Sequence, residues 1–303
     1  RKPACKRLPI ASARRINNFA KEETDMDWTW DLTVLYQNFD DPAIEKDFAA
    51  LKEAAEQGEK TLASGAAPLE TLERMTDIFE EISRLEGKLG NFSSLTLSVE
   101  AANERAQQLM DRLMNFSVRL SLLSSAYTRY LGGLSDLERL IQQSEKLQAV
   151  AFSLRRSREA AAHLMAPEIE EWMLKMSLSG ANAFSNLRDK LDATLKVDYR
   201  GQQLPLSAVR SMAYDPDPAV RREAYEAEVA AYAKIEIPMA ACLNGIKGEA
   251  LTEIEAEHFD SVLAQTLFNS NMDQETLDAM LAAIREALPA FRKYLRKKGA
   301  LLG

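Results

Sequence analysis

Two rows of apolar residues constrain this chain more than anything else in it. One is Leu72, Met75, Phe79, Ile82, Leu85, Leu89 and Phe92; the other is Leu109, Leu113, Phe116, Leu120, Leu123, Tyr127 and Tyr130. Their steps are of three and four residues. At that period an α-helix brings its side chains to one face, whereas a strand alternates faces every residue. Only "VEAANERA" separates the rows, so they are predicted to pair as an antiparallel helical hairpin.

The rest of the chain repeats the theme. "DDPAIEKDFAALKEAAEQG" opens a helix with Asp41 at the N-cap and Pro42 at the first position. After Gly132 and Gly133, the row Leu137, Leu140, Ile141, Leu147, Val150 and Leu154 predicts one further helix, capped by Ser135 or Asp136. Pro167 opens the next, expected to run on through "ANAFSNLRDKLDATL". Asp217 and Pro218 start another, with Val220, Ala224, Ala227, Ala231 and Ile235 on one face and an expected kink or interruption at Pro238. The last helix is capped by Asp273 and carries Leu277, Leu281, Ile284, Leu288, Phe291 and Leu295.

The period changes once. Leu195, Val197 and Tyr199 alternate with Thr194, Lys196 and Asp198, and Arg200-Gly201 and "QQLPL" follow. That reads as a β-hairpin, with Pro205 confining the second strand to an edge. The expected fold class is all-α, mostly long antiparallel helices, with one small β-hairpin near 194–206. Only 12 Gly and 10 Pro in 303 residues agree with it, since short turn-punctuated elements need more of both.

Three regions are expected: a disordered tail over 1–25, a helical region over 26–190, and a hairpin with further helices over 191–303. "WTWDLTVLYQNF" is expected to strap onto the core with Trp28 and Trp30 buried.

Composition removes several functions. A net charge of −8 argues against a nucleic-acid partner, which needs clustered Lys and Arg. No run of about 18 apolar residues offers a membrane span. Cys5 and Cys242 lie far apart and lack CxxC partners, so neither a disulfide framework nor a zinc cage is expected, and a reducing cytoplasm is the expected location.

Chemistry is sparse. The two histidines are His163 and His258, and HExxH, GxSxG, GxxxxGK[ST] and GxGxxG are all missing. Glu255 and His258 stand in an E-x-x-H, which on a helix puts carboxylate and imidazole on one face. A di-metal site of that kind needs a second copy, and there is none. His163 reads as a helix-end residue favouring the dipole. Glu168 with Glu171, and Asp215 with Asp217, read as helix-start charges. Met110, Met114, Met165, Met173, Met176, Met212, Met239, Met272 and Met280 could soften a binding groove, but their spacing favours core packing. No catalytic residue and no metal ligand is assigned.

Three stretches carry a resemblance. "WTWDLTVLYQNFDDPAIEKDFAALKE", "LSGANAFSNLRDKLDATLKV" followed by the hairpin and "DPDPAVRREAYEA", and "FDSVLAQTLFNSNMDQETLDAMLAAIREALPAFRKYLRKKGALLG" occur in the order found in oligoendopeptidase F-like enzymes. The chain resembles the N-terminal portion of these zinc metallopeptidases of the thimet-oligopeptidase-like superfamily. The resemblance implies a helical half of a peptide channel, short peptides as substrates of the intact enzyme, and zinc held in a catalytic half by HExxH and a downstream Glu. The two His of that motif, one turn apart, hold the metal, and its Glu is the general base. The motif is missing here, so this chain alone is expected to bind no zinc, to be inactive, and to have the catalytic half as packing partner. One departure is Glu257, His258 and Phe259, where the family often has an Arg-Gly-aromatic turn. The competing reading is a non-catalytic helical scaffold.

Overall fold

The structure, a computed structural model, describes residues 30–302. The 1–25 tail and Trp28 lie outside the described residues.

The chain enters through a short 3-10 turn, Leu32–Val34, whose N-cap Asp31 accepts the Thr33 N–H. This strap docks through Tyr36, which is buried, and through the half-buried Phe39 and Leu35. Trp30 corrects the sequence expectation: it is 76% exposed. The Tyr36 hydroxyl donates to Asp47 Oδ2 at 2.9 Å, and Lys88 reaches the same oxygen at 2.7 Å while lying over the Tyr36 ring. Burial pushes the Asp47 carboxyl up, but the hydrogen bonds from Lys88 and Tyr36 outweigh it and hold the group below the ordinary aspartate range.

Helices α1 (Pro42–Ala63), α2 (Pro68–Val99) and α3 (Glu104–Gly133) form the first bundle. Asp41 caps α1 by accepting the Ala43 N–H, with Pro42 at the first position, where no intrahelical donor is lost. The two predicted rows meet: Leu72, Met75, Leu85 and Leu89 of α2 are fully buried in one cluster with Leu109, Leu120, Leu123 and Tyr127 of α3.

The single helix expected from 137 is three short ones: α4 (Leu137–Gln142), α5 (Glu145–Ala149) and α6 (Ala151–Ala160). Ser144 causes the first break. Its buried hydroxyl donates to Glu73 of α2 at 2.6 Å and caps α5 by accepting the Leu147 N–H. The helix expected to run on from Pro167 also divides, into α7 (Pro167–Ser179) and α8 (Ala181–Thr194), at Gly180.

Strands β1 (Lys196–Tyr199) and β2 (Gln202–Pro205) pair antiparallel, Val197 against Leu204. Arg200 (φ 49°) and Gly201 (φ 78°) turn the chain with both central residues left-handed, as a tight hairpin requires. Leu195, Val197 and Tyr199 are buried together with Leu206 and Val209 of α9 (Leu206–Ser211) and with Ala224 and Ala231 of α10 (Pro218–Tyr232). This second cluster is separate from the first.

Pro238 does not kink a continuous helix. Helix α10 ends at Tyr232, and Pro238 lies in the first turn of α11 (Glu236–Ala256), where its missing N–H has no intrahelical acceptor to lose. Helices α12 (Val262–Asn269) and α13 (Gln274–Leu302) complete the described chain. Asp273 Oδ1 accepts the Thr276 N–H at 2.7 Å and so caps α13. All of α13 beyond Leu277 is exposed.

Candidate functional site

The residues singled out for chemistry do not converge. Helix α11 ends at Ala256, before it reaches His258, so Glu255 and His258 do not share a helix face. His258 has φ 59° and closes the helix: the Phe259 N–H returns to the Ile254 carbonyl and the His258 N–H to that of Glu255. Such a closure ordinarily takes a glycine at the left-handed position. Glu255 and His258 are both exposed on either side of this turn.

His163 is not a free helix-end residue. Its ring stacks on Phe259 with centroids 3.8 Å apart and meets the edge of Phe268 at 4.9 Å. Its Nδ1 lies 3.0 Å from the Glu257 carbonyl oxygen and donates to it. Arg156 covers the other part of Phe268 at 3.5 Å and donates to the Phe268 carbonyl. This stack joins α6 to the turn before α12. Asp217 caps α10 through the Ala219 N–H, and Asp215 accepts the Asp217 N–H. Glu168 stands in the first turn of α7, while Glu171 pairs with Lys175.

Among the described residues, no group of three or more His, Cys, Asp or Glu is placed to hold a metal ion. Among the described residues, one imidazole is committed to an aromatic stack and a backbone carbonyl, and the other sits on an exposed turn.

Two features invisible to motif matching organise this region. The first is the crossing of α8 and α11, where small and large residues alternate. Phe184 lies on Gly245, and Glu249 on Gly180. A Cβ on Gly245 would fall 2.3 Å from the Phe184 ring, and one on Gly180 would fall 2.2 Å from Glu249 Oε2. Glu249 accepts the Ala181 N–H at 2.7 Å and the Ser177 hydroxyl, so one carboxylate satisfies the start of α8 and splices it to α7. One helical turn on from Glu249, Glu253 has its carboxyl raised, first by burial and then by the flanking charges of Glu249 and Glu257.

The second feature is a groove of about 940 Å³ between the α2–α3 hairpin tip and α8. Leu97, Met110 and Met114 line it together with Gln107, Asn186 and Lys190. The methionine reading changes accordingly. None of the nine methionines singled out is buried: Met110 and Met114 line this groove, Met212 and Met239 edge the second cluster, and Met176 and Met280 are exposed. One carboxylate ties the first bundle to α7, where Glu170 accepts from both Arg129 and Ser125 of α3.

Comparison with known proteins locates this architecture. The sequence model of the family described as Oligopeptidase F matches residues 134–196. Oligopeptidase PepF of Bacillus subtilis (strain 168) is 20% identical over 96% of this chain and 45% of its own length. The oligoendopeptidase F homolog of Lactococcus lactis subsp. lactis (strain IL1403) is 22% identical over 91% of this chain and 47% of its own. The chain thus spans about half the length of the curated relatives it matches. The crystal structure of oligoendopeptidase-F from Enterococcus faecium shares the fold, with a TM-score of 0.67 at 17% identity over 84% of this chain and 52% of that one.

Proposed function

We propose that this chain, an oligoendopeptidase F-like N-terminal portion, builds the channel-forming part of a zinc enzyme that hydrolyses internal bonds of short peptides. One observation carries the reading. The likeness to relatives named as oligopeptidases runs along nearly all of this chain but under half of theirs. The likeness to enzymes named as oligoendopeptidases supports placing the metal and the general base in a catalytic half that packs against this one.

The role of these residues is then to wall a channel, to exclude folded proteins and to hold extended peptide. The groove under the hairpin tip suits the last task. Its amides, Gln107 and Asn186, complement peptide N–H and C=O groups, and its unbranched Met110 and Met114 adapt to varied side chains. Two regions, 26–190 and 191–303, are supported by the two separate buried clusters. Among the described residues, no helix is long and apolar enough to cross a membrane; a cytoplasmic location is the reading that goes with the likeness to oligopeptidases.

Zinc content and peptide cleavage by the purified chain test this reading. Metal analysis should find no stoichiometric zinc, and internally quenched peptides should stay intact. One zinc per chain accompanied by cleavage would overturn it and return Glu255 and His258 to candidacy.

A further inference from the structure

Two aromatic grips tie α12 to α6, the helix whose Leu154 belongs to the first buried cluster. Just before α12 begins, Phe259 lies flat on the His163 ring, and His163 Nδ1 donates to the Glu257 carbonyl at 3.0 Å. Where α12 ends, the Arg156 guanidinium lies over the Phe268 ring at 3.5 Å and donates to the Phe268 carbonyl. That carbonyl stands in the last turn of α12, where the helix dipole favours a cation. Beside the grips, α6 and α12 stand apart. Phe152 and Glu159 of α6 line a cleft of about 570 Å³ together with Leu263 and Leu267 of α12.

The turns at the two ends of α12 differ in what they bind. After α12, the Asn271 N–H returns to the Phe268 carbonyl and the Met272 N–H to that of Leu267, and Asp273 then caps α13. These bonds join α12 and the start of α13 into one unit. Before α12, the chain closes on α11 instead, through the Phe259 N–H to the Ile254 carbonyl, with His258 left-handed at φ 59°. A residue other than glycine keeps that conformation where its surroundings hold it, and Phe259 under His163 is such a hold. Arg156, His163, Phe259 and Phe268 belong to neither buried cluster, so the grips can open while both clusters stay whole.

We propose that Arg156 and His163 form a releasable clasp that sets how α12 and the start of α13 sit on the first bundle, with the turn at His258 as the hinge on which this unit swings when the clasp opens. Every contact of the clasp lies within this chain, none involves the exposed length of α13, and the peptidase reading is not needed for it.

Hydrogen exchange and a distance measurement on the whole chain test it together. In Arg156→Ala with His163→Ala, the amides of α12 should exchange about tenfold faster or more, while those of α2, α3 and the β-hairpin keep their protection. His163→Phe keeps a stacked ring without the bond to Glu257, and Arg156→Lys keeps the charge without the flat contact on Phe268; each should fall between. Spin labels on Phe152→Cys and Leu263→Cys, on opposite sides of the cleft, report the swing. Cys5→Ser leaves these two as the reactive sites, since Cys242 is buried. One narrow distance is expected with the clasp intact, and a longer, broader distribution in the double alanine variant. Unchanged exchange in that variant overturns the proposal. Protection lost along the whole chain does so too, because the four side chains then support the fold at large. Faster exchange at an unchanged distance overturns the hinge, since α12 then frays where it lies.

Discussion

Val197→Asp should remove about 3–5 kcal/mol of stability, the cost of burying an unpaired charge. Val197 is 0% exposed, at the centre of the second cluster, facing Ala224 and Ala231 of α10 together with Leu195 and Tyr199. A carboxylate there would lie among buried apolar side chains. Thr194→Asp lies three residues earlier on an exposed position, and should cost about 1 kcal/mol or less, chiefly through a negative charge at the end of α8. Urea denaturation gives the difference between the two. Hydrogen exchange should also localise the loss. In Val197→Asp, amides over 191–239 should lose protection while those of α2 and α3 keep it, since the two clusters share no residue. Equal costs for the two variants would mean that the hairpin does not bury this face.

Gly245→Ala should destabilise the chain by about 1–3 kcal/mol, although alanine is the better helix former by about 1 kcal/mol. The Cβ would lie 2.3 Å from the Phe184 ring, and that ring fills the space over Gly245. Removing the ring reverses the sign. In a Phe184→Ala background, Gly245→Ala should stabilise by about 1 kcal/mol, because propensity alone then remains. Thermal or urea melts of the four chains of this cycle give the coupling. Additive effects would show that the α8–α11 crossing tolerates a methyl group, and that the close approach is not what holds it.

These two sites differ in how far the sequence disclosed them. The hairpin and the first bundle were legible because one-sided burial writes a period into the residues: two for Leu195, Val197 and Tyr199, and three to four for the rows of α2 and α3. What the period does not carry is where a helix stops for tertiary reasons. Ser144 ends α4 because Glu73 of another helix receives its hydroxyl, and Gly180 divides α7 from α8 because Glu249 occupies the space a Cβ would take. Both partners are about seventy residues distant. Trp30 misled by its size: the neighbouring Tyr36, with Asp47 and Lys88 to satisfy its hydroxyl, takes the buried place. His163 and the half-buried methionines show the same limit. An imidazole or a thioether reads alike in sequence whether it binds a ligand, lines a groove or packs on rings, and only Phe259 and Phe268 tell which role His163 has.

On the proposed function, these residues serve a peptidase whose zinc site lies elsewhere in the same polypeptide. The nucleotide sequence downstream of the Gly303 codon tests it most directly. The expected result is an open frame that continues into a helix bearing His-Glu-x-x-His, followed by a further Glu, the residue types a zinc-bound water and its general base require. A stop codon directly after Gly303, or a long open frame without that motif, would contradict it and leave a helical scaffold with no chemistry of its own.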